Sequence, residues 1–364
     1  MLPSFFPSRT LSLYLARTFL LRSLAVLAAL VLVLQALDLL GESGDILAYK
    51  GNGDAQLWYY VSLRVPQIIA RFLPFSVLLG TLITFVTLNQ NSEIIAMKAA
   101  GVSAHQVLAP LIIASIGIAG ISFAFNDRIV SHATATLTAW QNVDYGPVPK
   151  ATGIVSNVWV RDGDDLIHVD SVSGRLGSTT LHGITVYDRT GGNLQNIVRA
   201  TRAIQAEGGW RMSGISRFNV ARGVATPLAP LIFAKGVTPD RFTLADVDAD
   251  SRGFLSLSQA VGDLKAAGRP TGALESALWH KLSGPLSSVL MPLLAAVAAF
   301  GLARSGQLFV RAVIGMGLGF TYFVADNFAL AMGNIGAYPP FLAAWAPFLL
   351  FLLIGEAVLI RSEE

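Results

Sequence analysis

The chain has no cysteine, which excludes disulfide frameworks and thiolate metal sites. Charge is scarce too. Only 13% of the 364 residues are Asp, Glu, Lys or Arg, against 53% apolar types, and mean hydropathy is +0.57. A soluble domain carries about twice that share of charge, so the composition is that of a membrane protein. The formal charge is +3 with a pI of about 9.2, and no basic cluster suits a nucleic acid. No lysine follows a glycine, so a Walker A phosphate loop is excluded; HExxH and GxSxG are absent as well. The histidines, 105, 132, 168, 182 and 280, lack metal-ligand spacing, and His168 and His182 read as solvated strand residues. The residues therefore predict a non-catalytic protein with no metal site and no cofactor of its own.

What the chain does have is long apolar runs. Arg9, Arg17 and Arg22 precede an apolar stretch with no small-residue cleavage motif, which predicts an uncleaved first span over roughly 12–40. A Gly-rich, mildly acidic loop is expected at 41–56. Span 2 starts near Trp58 and includes Phe72–Leu88, 17 residues without a charge; span 3 includes Val107–Phe125, 19 without one. Leu282–Ala303, Ala312–Met332 and Tyr338–Gly355 supply three more spans. On span 5, Gly315, Gly317 and Gly319 form a small-residue face suited to close helix packing.

Between the two blocks the apolar period shortens towards two. NVWVRDGDDLIHVDSV holds two alternating runs around Asp162-Gly163, a hairpin signal, and a turn explains Asp162, Asp164 and Asp165 better than calcium does. The expected fold is thus α+β: six transmembrane helices in two three-helix blocks, with an all-β sandwich or jelly roll inserted between spans 3 and 4. The boundaries are 1–127 for the first block, 128–255 for the β domain, and 256–364 for a linking helix and spans 4–6. Arg9, Arg17, Arg22, Lys98, Arg304, Arg311 and Arg361 share one side, against Lys50 on the other. The positive-inside rule makes that side cytoplasmic, with both termini, and puts the β domain outside.

The polar stretch NQNSEIIAMKAAGVS (89–103) between spans 2 and 3 predicts a short helix. Asn91 or Ser92 caps its start, Glu93 and Lys98 suit its dipole, and Gly101 stops it. Its apolar atoms, on Ile94, Ile95, Met97 and Ala100, have three destinations: the membrane surface, the chain's own spans, or another protein. Glu93 either stabilises its own helix or pairs with a partner's base. Among the intramembrane ionisable groups, Asp326 lies 15 residues beyond Arg311, roughly 22 Å along a helix, at a depth comparable to Arg64 and Arg71. An Asp–Arg pair between the blocks is one reading, and a cavity meeting a polar headgroup is the other. Arg22 and Asp38 sit where snorkelling suffices.

Several stretches carry a resemblance: VPQIIARFLPFSVLLGTL (65–82), SEIIAMKAAGVS (92–103), WVRDGDDLIHVDSV (159–172), VTPDRF (237–242), 255–287 and GLGFTYFVADNFALAMGNIGAYPPFLAAWAP (317–347). With the three-span, β, three-span order, the chain resembles the LptF/LptG permease family of the lipopolysaccharide export transporter. The WVRDG hairpin and 255–287 favour the G branch over the F branch. The resemblance implies an inner-membrane ABC-transporter permease that pairs with an LptF-like permease and is driven by an LptB-like ATPase dimer, which binds the ATP and magnesium. It also implies an LptC-like single-span protein, a periplasmic bridge, and lipopolysaccharide as cargo entering laterally at spans 1 and 5. It would make 91–101 a coupling helix, with Glu93, Ile94, Met97, Lys98, Ala100 and Gly101 at the ATPase. Phe75, Leu78, Phe320, Tyr322 and Phe323 would line the lipid cavity, and Gln35, Asp38, Arg64, Arg71 and Asp326 would offer it polar groups. Enteric members carry lysines at the outer end of span 1; here that stretch reads QALDLLGESGD, with Gln35, Asp38, Glu42 and Asp45. Three other readings stand beside this one: the F-type partner, a membrane-anchored assembly or sensing protein that does not transport, and a lipid-modifying enzyme.

Overall fold

A computed structural model describes residues 7–147, 155–173, 179–190, 193–206, 209–234, 237, 248–266, 269–300 and 308–363. The chain forms two compact units, one of helices and one that joins the β strands with Gln259–Pro270. Arg304 and most of VTPDRF lie outside the described residues.

In the helical unit, α1 (Arg9–Ala48) is opened by Ser8, whose Oγ accepts from the Leu11 amide. It is longer than the expected span: Gly41 and Gly44 are helical, and the loop shrinks to Tyr49–Gly53. The reason is tertiary. Ile46, nearly two turns beyond the apolar run, is fully buried among Tyr60, Leu63, Leu137, Trp140 and Tyr145, and that burial outweighs about 1 kcal/mol of helix propensity per glycine. α2 (Asp54–Gln90), α3 (Glu93–Ala99) and α4 (Ala104–Phe125) follow. α4 starts at a capping box in which Ser103 Oγ accepts from the Gln106 amide and Gln106 Oε1 accepts from the Ser103 amide.

The expected start of the β domain at 128 is corrected. The chain passes through a π-turn (Asn126–Val130) into α5 (Ser131–Gln141), and β1 begins only at Val155. SHATATLTAWQ is too polar to resemble a span, yet Ala133, Leu137 and Trp140 recur at i, i+4, i+7 and bury one stripe against the ends of α1 and α2. In the π-turn, the Asp127 carboxylate accepts from the Phe254 amide and so caps α6 (Phe254–Ala266). The remaining helices are α7 (Gly272–Phe300), α8 (Leu308–Asn334) and α9 (Pro340–Glu363). Six helices among the described residues are long and apolar enough to cross a membrane. α7 is the centre: Leu290, Met291 and Leu293–Ala296 are buried in a core that takes side chains from α1, α2, α3, α4, α8 and α9. The glycine face on α8 packs closely, as expected. A Cβ on Gly315 would stand 2.6 Å from Leu82 Cδ2, and one on Gly319 would collide with Leu78, whereas Gly317 faces open space.

The β unit is one antiparallel sheet of β1 (Val155–Asp162), β2 (Asp165–Ser173), β3 (Thr180–Thr190), β4 (Asn193–Ala206), β5 (Gly209–Ser213), β6 (Ile215–Asn219), β7 (Val224–Leu228) and β8 (Leu231–Phe233). β5 and β6 keep one register against β4, Arg202 opposite Ser213 and Arg199 opposite Ser216, so they form a single row broken at Gly214. β7 and β8 likewise form one row along β6 and β5. The sheet is thus a meander of six rows. The β1–β2 hairpin turns at Gly163 (φ 61°), with Asp162 opposite Asp165, as the sequence predicts.

One feature crosses four of the six rows. Buried residues run with period two, then skip three: Val169 to Val172, Leu181 to Ile184, Ala200 to Ala203, Met212 to Ile215. The skips align across the rows at Asp170, Gly183, Thr201 and Gly214. Gly183 and Gly214 have φ of 62° and 67°, and Cβ atoms there would collide with Asp170 and Thr201. This transverse crease turns both halves of these four rows onto one core, centred on fully buried Trp210, whose Nε1 donates to the Val237 carbonyl at 2.8 Å. His168 stacks near Trp159 (4.5 Å) on the other face.

Candidate functional site

Two sets of residues are candidates for function: the short helix α3 and the ionisable groups within the spans. α3 ends in a complete Schellman motif. Gly101 (φ 79°) donates to Lys98 O and Val102 to Met97 O, both at 3.0 Å. Its start differs from expectation: Ser92 is left-handed (φ 60°) and makes no side-chain cap, so Glu93 carries the favourable charge at that end.

Glu93 is already engaged within the chain. Its carboxylate accepts from the Tyr14 hydroxyl of α1 at 3.0 and 3.3 Å and from Asn91 Nδ2 at 3.3 Å. Ile94 and Met97 of the expected contact set turn inward and are buried in the central core. Lys98, Ala100 and Gly101 are exposed, as is Ile95, 63% accessible and the largest apolar group α3 offers outward. A seven-residue helix has room for one inward stripe; Ile94 and Met97, at i and i+3, occupy it, and Ile95 falls opposite.

Within this chain the expected cavity residues fall into separate groups. Asp38 pairs with Arg64 in a two-pronged contact, Nη2 to Oδ1 at 2.8 Å and Nε to both carboxylate oxygens at 3.1 Å. The Tyr60 hydroxyl donates to Asp38 at 2.6 Å, and Arg64 Nη1 donates to Gln67 at 2.9 Å. Asp38 therefore does not snorkel, and the Arg64–Asp326 pair is not formed. Asp326 instead meets His280 Nε2 of α7 at 3.1 Å. Each acid finds its partner on the helix adjacent in the chain, because such neighbours pack antiparallel and the partner is in reach. Arg71 is exposed and forms no ion pair among the described residues. Gln35 is 8% exposed with both amide atoms unpaired among the described residues.

Of the aromatic and aliphatic candidates, Leu78 and Tyr322 are core residues, Leu78 seated on Gly319 and Tyr322 edge-on to Phe351 at 5.4 Å. Phe75 and Phe323 are half-buried, and Phe320 is 66% exposed on the outer face of α8. Sequence reasoning missed Tyr14, Tyr60 and His280. Tyr60 and Arg64 had a signal, one helical turn apart on α2; Tyr14, 79 positions from Glu93, had none.

The helices differ sharply in cover. Only 11% of the apolar window of α1 and 22% of that of α8 is buried, against 33% to 67% for the other spans. The profile of a family described as "Lipopolysaccharide export system permease LptF/LptG" matches residues 13–361. The chain is 26% identical to the lipopolysaccharide export system permease protein LptG of Escherichia coli (strain K12), over 98% of this chain and 99% of that protein. It is 23% identical to the LptG of Haemophilus influenzae, over 86% of this chain and 89% of that protein.

Proposed function

The chain belongs to the lipopolysaccharide export permease family LptF/LptG, and on that premise we propose that it is the G-type, non-catalytic permease subunit of an ATP-driven exporter. A separate ATPase dimer supplies the energy, a second, F-type permease completes the transmembrane path, and a single-span protein and a periplasmic bridge receive the cargo. Both termini lie in the cytoplasm and the β unit in the periplasm.

The observation that carries this reading is the bareness of α1 and α8. Large side chains stand outward on both: Leu24, Leu32, Leu37 and Leu40 on α1, Phe320, Val324 and Phe328 on α8. Such surfaces suit acyl chains and a second permease, because association within a bilayer rests on side-chain packing. α3 is the point where force enters. Ile95, Lys98, Ala100 and Gly101 meet the ATPase on the exposed side, while Ile94 and Met97 anchor the helix to the core. Glu93 then hands the displacement to α1 through Tyr14, which assigns Glu93 an internal linkage in place of the partner contact first expected.

The test is a photocrosslinker scan in live cells at Leu32 and Phe328, with Leu353 on the exposed face of α9 as the reference. Capture of lipopolysaccharide at the first two and not at the third is expected; equal capture at all three, or none at any, refutes the lateral path.

A further inference from the structure

Around the turn 49–53, two adjoining open cavities of about 380 and 480 Å³ share Tyr49 and Tyr145. The first adds Lys50, Asn52, Gln56, Tyr59 and Trp140; the second adds Glu42, Asp45, Gln141 and Asp144. The aromatic wall is rigid. Trp140, 5% exposed, is gripped edge-on by Tyr59 at 5.3 Å and by Tyr145 at 5.1 Å. Tyr145 is held in turn, donating from its hydroxyl to Glu42 at 2.5 Å and accepting at its carbonyl from Asn52 Nδ2 at 2.9 Å.

Polar valence is left over. Gln56 spends Oε1 on the Gly53 amide at 2.9 Å, which leaves Nε2; Asn52 spends Nδ2, which leaves Oδ1. Asp45 and Asp144 form no ion pair among the described residues. The walls contain no Leu, Ile or Val; aromatic rings alternate there with amides and carboxylates. Three carboxylates face a single lysine, which repels phosphates. Fixed aromatic rings beside amides and carboxylates suit a sugar ring, whose C–H face lies on the aromatic wall while its hydroxyls, or an amine, bond to the flanking oxygens.

We infer that this cleft, framed by Tyr49, Tyr59 and Trp140 with Gln56, Asp45 and Asp144, binds neutral or amine-bearing sugar rings and discriminates against phosphorylated ones. The inference rests on the transport reading in one respect, that the sugar is borne by the exported amphiphile.

Saturation-transfer NMR on the full chain in detergent micelles tests it, with glucosamine, glucose and glucosamine 6-phosphate as probes. Transfer to the ring protons of the first two is expected, weaker for the phosphate, and reduced about three- to tenfold by Tyr59→Ala. Trp58→Ala, an exposed aromatic outside the cleft, leaves it unchanged. No transfer, transfer indifferent to Tyr59→Ala, or preference for the phosphorylated sugar overturns the inference. Added lipopolysaccharide displaces glucosamine if the sugar is lipid-borne; failure to displace it overturns that assignment. The transport reading is judged separately, by the crosslinks on α1 and α8, which do not depend on Tyr59.

Discussion

At Gly80 the backbone of α2 approaches that of α1 closely. A Cβ built there would stand 2.6 Å from Ser23 Cα and 2.7 Å from Ser23 N, both backbone atoms that no rotamer change can move. Ordinary contact is about 3.5–4.0 Å, so Gly80→Ala must push the helices apart by roughly 1 Å. The displacement strains Arg22 Nη1 to Ile83 O (3.1 Å) close by and the Asp38–Arg64 pair (2.8 Å) farther along. Overpacking of this kind costs about 1–3 kcal/mol. Alanine also raises helix propensity by about 1 kcal/mol, so the comparison is with Gly317→Ala, where nothing lies within 4 Å of the new methyl; the propensity gain cancels. Unfolding in mixed micelles should show Gly80→Ala less stable than Gly317→Ala by about 1–3 kcal/mol. Because α1 carries Tyr14, the same variant should loosen the Tyr14–Glu93 contact and lower transport-coupled ATPase activity. Equal stability of the two variants would refute the close-approach argument.

Tyr14→Phe removes only the hydroxyl that Glu93 accepts; ATPase activity and transport should separate, with hydrolysis retained and export reduced, as read by lipopolysaccharide release from proteoliposomes. Ile95→Asp, on the exposed side of α3, should abolish co-purification of the ATPase without altering thermal unfolding of the permease, because the side chain contributes nothing to the core. Gly214→Val should destabilise the β unit by more than 1 kcal/mol, about what a left-handed conformation costs a β-branched residue, with Val224→Ala on exposed β7 as the neutral reference. Tyr145 is pushed up to about 12, by burial first and then by donation to Glu42. Its stabilising contribution is complete below the ordinary tyrosine value near 10 and is lost as pH rises through about 12; Tyr145→Phe should flatten the stability–pH curve there.

How much of this was legible beforehand depends on whether a signal is local. Capping and termination of α3 by Gly101, the Gly163 hairpin and the small face of α8 follow from residues within a turn of one another, and each is present. α5 was missed because SHATATLTAWQ lacks the hydrophobicity of a span, and its stripe of Ala133, Leu137 and Trp140 has meaning only against α1 and α2. The crease was missed for a related reason: each skip of three reads as an irregularity within its strand, and only pairing the rows aligns Asp170, Gly183, Thr201 and Gly214.

By itself, the order of residues determined the six apolar helices seen among the described residues and an inserted antiparallel domain. It also determined that the chain carries no phosphate loop or thiolate site of its own. These properties follow from composition, period and run length, which are local sums. Tertiary structure alone decided which acid meets which base, that Ile94 and Met97 face inward while Ile95 faces outward, and that Glu93 is tied to Tyr14. Those outcomes depend on the rotation of each helix about its axis, set by the joint packing of all the helices around α7, and no single stretch of the chain encodes that angle.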